Sequence, residues 1–243
     1  MPRFFVSESA VSDGTVTVAG ADAYHIARSL RMAVGETITV CTQSGRELTC
    51  TLQRIRDDSV EAKILSERPA GGESPLSISL YVAYPKGDKL ETVVQKATEL
   101  GVASVTPFAS EFVVRKPKPD KINAETERLS RIAAEAAKQS RRGRIPTVCP
   151  PLSFPEMLGD AGRSELVLFC YEGEGTLPLP AALPEKPPRT VSVIVGSEGG
   201  FSMREVAAAK DAGFTPIGLG KRILRCETAP LFVLSCLSFR YEL

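Results

Sequence analysis

Three glycines and one carboxylate stand together in Val195-Gly196-Ser197-Glu198-Gly199-Gly200-Phe201-Ser202, between an apolar run and a helix-capping pattern. Glycine at such a junction lets a backbone come close to a ligand. The spacing is GxxGG, which is neither the GxGxxG of a dinucleotide loop nor a phosphate loop ending in GK[ST]. Glu198 at its centre would repel a phosphate. A tight strand-to-helix turn without a ligand is the plain alternative. A second string, Leu219-Gly220-Lys221-Arg222-Ile223-Leu224-Arg225-Cys226-Glu227-Thr228-Ala229, puts charged residues directly before a helix. Two such loops at adjacent strand ends would form a pocket at the carboxyl edge of a parallel sheet. Arg225 is suited to stabilise developing negative charge, and an Arg225–Glu227 ion pair is the competing use of the same residues.

Other chemistries start poorly. There is a single histidine, and six cysteines (Cys41, Cys50, Cys149, Cys170, Cys226, Cys236) show no CxxC spacing. No metal site and no Cys–His pair is expected, and the thiols read as reduced core residues of a cytoplasmic protein. Thirty basic residues against twenty-nine acidic ones leave a net charge of +1. Affinity for nucleic acid must therefore come from local patches. No run approaches the ~18 apolar residues of a membrane span. The start, Met1-Pro2-Arg3-Phe4-Phe5-Val6, lacks the long apolar region of a signal peptide.

The elements that must position these loops fall into two segments of the 243-residue chain, which is 24% charged and 43% apolar. Residues 16–19, 36–41, 47–52 and 59–65 alternate apolar with polar and predict short strands of a small barrel, interrupted by one helix near residues 22–30. Residues 67–75 break both periodicities and predict a linker. Beyond it, strands at 77–84, 102–108, 165–170 and 190–195 alternate with helices at 88–100, 121–139, 202–212 and from 228 onward. That is the pattern of an α/β domain with a mostly parallel sheet. Residues 177–188, rich in proline, read as an exposed connection. The last helix is apolar nearly all round, so it must be covered on both sides, as a subunit interface would cover it.

The pairing of G-S-E-G-G-F-S-x-x-E (196–205) with L-G-x-R-I-L-R-x-E-T-A (219–229) resembles the RsmE-type rRNA (uridine-N3) methyltransferases of the SPOUT class. The likeness continues in Gln95-Lys96-Ala97-Thr98-Glu99-Leu100-Gly101, in residues 135–146, in Arg3-Phe4-Phe5-Val6 and in residues 25–35, so that it spans nearly the whole chain in order. One departure is Ser197, where the family usually has proline; serine frees φ and adds a hydroxyl.

The resemblance implies a PUA-like β-barrel for RNA docking over residues 1–72. It implies a SPOUT-type α/β domain with a C-terminal trefoil knot over residues 73–243. The implied cofactor is S-adenosylmethionine, held by the backbone around Gly196, Ser197, Gly199, Gly200, Leu219, Gly220, Ile223 and Leu224. Having no phosphate, it tolerates a carboxylate, Glu198 or Glu172, beside its cationic sulfur. The implied reaction is methylation of uridine N3 in 16S rRNA by a homodimer. Arg225 takes the electrostatic role and Glu198 is the candidate base. Arg3, His25, Arg28, Arg31, Lys86 and Arg142 are candidate RNA contacts, with a basic loop at 115–121 beside them; His25 is equally readable as a structural hydrogen-bonding residue. Two other readings compete, a nucleotide- or phosphate-binding α/β enzyme and a catalytically silent RNA-binding protein.

Overall fold

A computed structural model describes residues 1–114 and 119–243. The Arg115-Lys116-Pro117-Lys118 part of the basic loop therefore lies outside the described residues. The chain divides into two compact units, residues 1–73 with 137–145, and residues 74–136 with 146–243.

The first unit is a six-stranded sheet. Its strands are β1 (Arg3–Val6), β2 (Val11–Ser12), β3 (Thr15–Ala19), β4 (Thr37–Thr42), β5 (Arg46–Ile55) and β6 (Ser59–Pro69), in the spatial order β1-β4-β5-β6-β3-β2. β1 and β4 run parallel and the other pairs antiparallel. The alternation read from the sequence puts Val16, Val18, Ile38, Val40, Leu48 and Leu52 inside, fully buried. The expected helix appears as α1 (Ala21–Tyr24), which widens into a π-turn over His25–Ser29 and buries Ala23 and Ile26. Part of the expected linker is strand instead: β6 runs on to Pro69 because Glu67 and Arg68 pair with Leu48 and Glu47 of β5.

Among the described residues, the second unit is built on seven strands, all parallel: β7 (Ser77–Ala83), β8 (Ser104–Phe108), β9 (Thr147–Val148), β10 (Leu166–Cys170), β11 (Leu177–Pro178), β12 (Thr190–Val195) and β13 (Pro216–Gly218). Their order is β11-β13-β10-β12-β7-β8-β9. The helices are α2 (Lys89–Glu99), α3 (Ile122–Gln139), α4 (Phe154–Ala161), α5 (Leu179–Ala182), α6 (Met203–Asp211) and α7 (Thr228–Tyr241). α2 buries Leu90, Val93, Val94 and Ala97, which its helical spacing puts on one face. Residues 177–188 are not simply an exposed connection, because Leu177–Pro178 forms the edge strand and Leu179 is buried. The sequence reading places no helix at 154–161, although Ser153-x-x-Glu156 is a capping box, and that box is formed. α7 buries Val233, Leu234 and Leu237, while Phe232 is 40% and Phe239 76% exposed. Among the described residues no helix is long and apolar enough to cross a membrane.

Candidate functional site

The two glycine loops leave β12 and β13, which are not neighbours: β10 lies between them. The loop after β10 carries Glu172 and Thr176 and completes one pocket at the carboxyl ends of these three strands. Glu172, Gly196, Ser197, Gly200, Leu219, Gly220, Ile223 and Leu224 all line it, as do Lys221 and Arg222.

The first loop is a tight turn. Gly200 N–H donates to the Ser197 carbonyl at 3.0 Å, so the turn closes without a proline at 197. Gly200 has φ +65°, and a Cβ there would stand 2.7 Å from the Glu172 carboxylate, so no other residue fits without displacing that acid. The turn is anchored below by Phe201, whose ring lies 4.4 Å from that of Phe169 and stacks on Phe108. It is anchored behind by α6, where Ser202 and Glu205 form the expected capping box. The buried Glu205 carboxylate also accepts from Glu111 N–H at 2.9 Å and from the Ser110 hydroxyl at 3.2 Å, tying the segment after β8 to the same helix start. A capping signature in sequence gives no sign of this second use.

Two expected pocket residues sit elsewhere. Gly199 faces Phe112, and a Cβ there would come within 2.7 Å of the Phe112 Cβ, so this glycine serves packing and not the pocket. Glu198 points away from the pocket lining, toward Lys89. Burial pushes its carboxyl up, but the Lys89 ammonium at 2.7 Å and backbone N–H groups, including that of Lys86 at 3.0 Å, outweigh this and hold it at about 2. A carboxyl so acidic takes up a proton poorly near neutrality, which removes Glu198 as an efficient base. Because its folded value lies below the ordinary 4.5, the charged form stabilises the fold above that pH, and the contribution is lost as pH falls toward about 2. The gap in unfolding free energy between wild type and Glu198→Gln is expected to stay constant around neutrality and to close through that acid window. A gap that instead persists at the acid end would show that charge is not its source.

In the second loop the Arg225–Glu227 ion pair does not form. Glu227 faces Lys89 at 3.5 Å and accepts from the Cys226 thiol at 3.2 Å. The Arg225 backbone carbonyl starts α7 by accepting from Thr228 and Ala229. Its side chain is exposed and makes no ion pair among the described residues, beside the pocket-lining Leu224 and Cys226. Burial pushes the two pocket thiols, Cys170 and Cys226, up to about 12, so neither is a thiolate nucleophile near neutrality.

Of the candidate RNA contacts, two are structural. Arg3 is nearly buried against Glu47 at 2.8 Å and also donates to the Arg142 carbonyl. Arg142 is 3% exposed and bound to Glu73 at 2.6 Å. Arg3 is held by the buried Glu47 and the Arg142 guanidinium is itself buried, so neither presents a fork to phosphate, which removes both from the RNA list. Arg28 is exposed and bidentate to Asp57. Arg31 and Lys86 are exposed, and His25 is exposed with its ring edge-on to Phe4.

The chain has a parallel sheet with a glycine-lined crevice at its carboxyl edge, following a small β unit, and the families it matches place it among RNA methyltransferases. Residues 72–238 match the RNA methyltransferase domain family and residues 18–65 the RNA methyltransferase PUA domain family. Within that class, the chain belongs to the ribosomal RNA small subunit methyltransferase E family. It is 34% identical over its full length to the Bacillus subtilis member, covering 98% of that protein, and 33% identical to the Synechocystis member, covering 76% of it. Among solved structures, that of the Neisseria gonorrhoeae ribosomal RNA small subunit methyltransferase E bound to S-adenosyl methionine superposes with a TM-score of 0.88 at 30% identity, covering 99% of this chain and 98% of the other. A Legionella pneumophila putative methyltransferase with bound cofactor SAM gives 0.87 at 31% identity, covering 98% and 96%.

Proposed function

We propose that this chain transfers a methyl group from S-adenosylmethionine to small-subunit ribosomal RNA, at N3 of a uridine. The observation that carries this reading is the pocket itself. It holds a carboxylate, Glu172, and a buried hydroxyl, Ser197 Oγ, that has no hydrogen-bond partner among the described residues. A phosphate would meet Glu172 unfavourably, whereas a cationic sulfonium and an amino-acid ammonium are attracted to it. An orphaned hydroxyl at a pocket wall calls for a polar ligand atom. Leu219, Ile223 and Leu224 supply apolar cover for an adenine ring, and the Gly196 and Gly200 backbone lets it approach.

When bound, the cofactor supplies an electrophilic methyl group. The chain's own part is to hold the acceptor in line and to stabilise the negative charge that develops on the uracil carbonyl oxygens as N3 loses its proton, the role given to Arg225, which makes no ion pair among the described residues. His25, Arg28, Arg31 and Lys86 remain the proposed RNA contacts, giving salt-sensitive binding through phosphate and shape. The trefoil knot and a cytoplasmic homodimer belong to the same reading, the exposed Phe232 and Phe239 of α7 being the apolar surface a second copy would cover.

The test is mass mapping of small-subunit rRNA from cells lacking the protein. One N3-methyluridine should disappear and return when the gene is restored; an unchanged methylation map defeats the assignment. For the pocket, Ser197→Ala should weaken S-adenosylmethionine binding by roughly fivefold, about 1 kcal/mol, in titration calorimetry, without lowering the melting temperature. Unaltered affinity would take the hydroxyl out of the binding set.

A further inference from the structure

Lys89 is the first residue of α2, where a cation faces the positive end of the helix dipole and is disfavoured. The helix gives no reason for a lysine at that position, but the two loops that frame the pocket do. Its ammonium lies 2.7 Å from Glu198 in the loop after β12 and 3.5 Å from Glu227 at the entrance to α7. The same Glu198 oxygen accepts the Lys86 backbone N–H at 3.0 Å. The Cys226 thiol, 3.9 Å from the ammonium, is uncharged, since burial pushes it up to about 12. One half-buried cation thus joins three chain segments that meet only in the folded unit.

We infer that Lys89 is a positioning residue that clasps the two glycine loops together, setting the cofactor wall at Ser197 and Gly200 in register with Arg225. The inference rests on the methyl-transfer reading above. Without the ammonium, Glu198 and Glu227 repel, and the loop bearing Arg225, two residues before Glu227, loses its tie to the loop bearing Ser197.

A positioning role and a simple charge effect have opposite signs here, which makes the inference testable. Removing a cation beside a site for a sulfonium should tighten binding of S-adenosylmethionine if charge alone matters. It should leave S-adenosylhomocysteine, whose sulfur is neutral, little changed. Loss of a clasp weakens both alike. The experiment is calorimetry of the full chain with both compounds, together with kcat and KM on rRNA, for wild type, Lys89→Met and Lys89→Arg. Lys89→Met is expected to weaken both compounds about tenfold and to lower kcat by about a hundredfold through misregistered loops. Lys89→Arg, which can still bridge two carboxylates, should recover most of both losses. Unchanged affinities in Lys89→Met, or tighter binding of S-adenosylmethionine alone, overturn the inference. If Lys89→Met does not fold, Glu227→Gln, which keeps the Glu198 pair, should show the same equal weakening to a smaller degree, and equal wild-type affinities there overturn it. Failure of the wild-type chain to bind either compound would instead strike the methyl-transfer reading.

Discussion

Arg225→Ala is expected to lower turnover by about two to four orders of magnitude, roughly 3–5 kcal/mol of transition-state stabilisation, while leaving cofactor affinity near the wild-type value. The size follows from what uracil needs. N3 is a poor nucleophile while protonated, and the charge released when the proton leaves spreads onto the flanking carbonyl oxygens. A guanidinium presents a planar fork of donors to such oxygens. Arg225 is exposed and lacks an ion pair among the described residues, whereas Lys89 is bound to Glu198 and Glu227. Its field is screened in water, and grows once bound RNA excludes solvent. The effect should therefore fall on kcat in saturating RNA more than on KM. Single-turnover methyl incorporation from labelled cofactor measures it, and a wild-type rate in the alanine variant would strip Arg225 of the role. Lys at this position keeps charge but not the fork, so an intermediate rate is expected.

The second large effect concerns stability. Glu73→Ala should cost about 3 kcal/mol, because it removes the carboxylate paired with the buried Arg142 guanidinium and the acceptor of two backbone N–H groups. Arg142 is 3% exposed and meets Glu73 through contacts of 2.6 and 3.2 Å, and the same carboxylate accepts backbone N–H groups from Gly143 at 2.9 Å and Arg144 at 3.1 Å. Residues 137–145 are held within the first unit by these contacts and by the Arg3 bond to the Arg142 carbonyl. Urea unfolding measures the loss. The matched control is Asp57→Ala, which breaks an equally short pair to Arg28 whose side chains are 60% and 55% exposed; about 1 kcal/mol or less is expected there. Equal costs for the two substitutions would show that burial is not what gives the Glu73 pair its strength.

Most elements were legible because their signals are local. Alternation marks β3 to β6, apolar runs mark β10 and β12, and the Ser202–Glu205 box opens α6. Each records which side chains must leave water over a few successive residues. Short elements escaped: β9 and β11 have two residues each and owe their pairing to the neighbouring strand, not to a pattern of their own. The glycine and apolar walls of the pocket were legible for the same reason as the helices, because they belong to the two loops themselves. Its acid was not, since Glu198 lies outside the lining and Glu172 comes from the loop after β10.

Charge was the part that could not be read. Arg3 and Arg142 look like any other basic residues in the string, and so does Glu198 beside its glycines. Whether an ionised side chain meets solvent, a ligand or a buried partner depends on which distant carboxylate or ammonium the fold delivers to within about 4 Å, and Coulomb energy at that range changes several-fold with burial. Composition and periodicity thus specified two units, a parallel sheet and a glycine-lined crevice, since those follow from short-range preferences summed along the chain. Long-range packing settled which charges were spent on partners, Arg3 on Glu47, Arg142 on Glu73 and Glu198 on Lys89, and left Arg225 beside the crevice with no ion pair among the described residues.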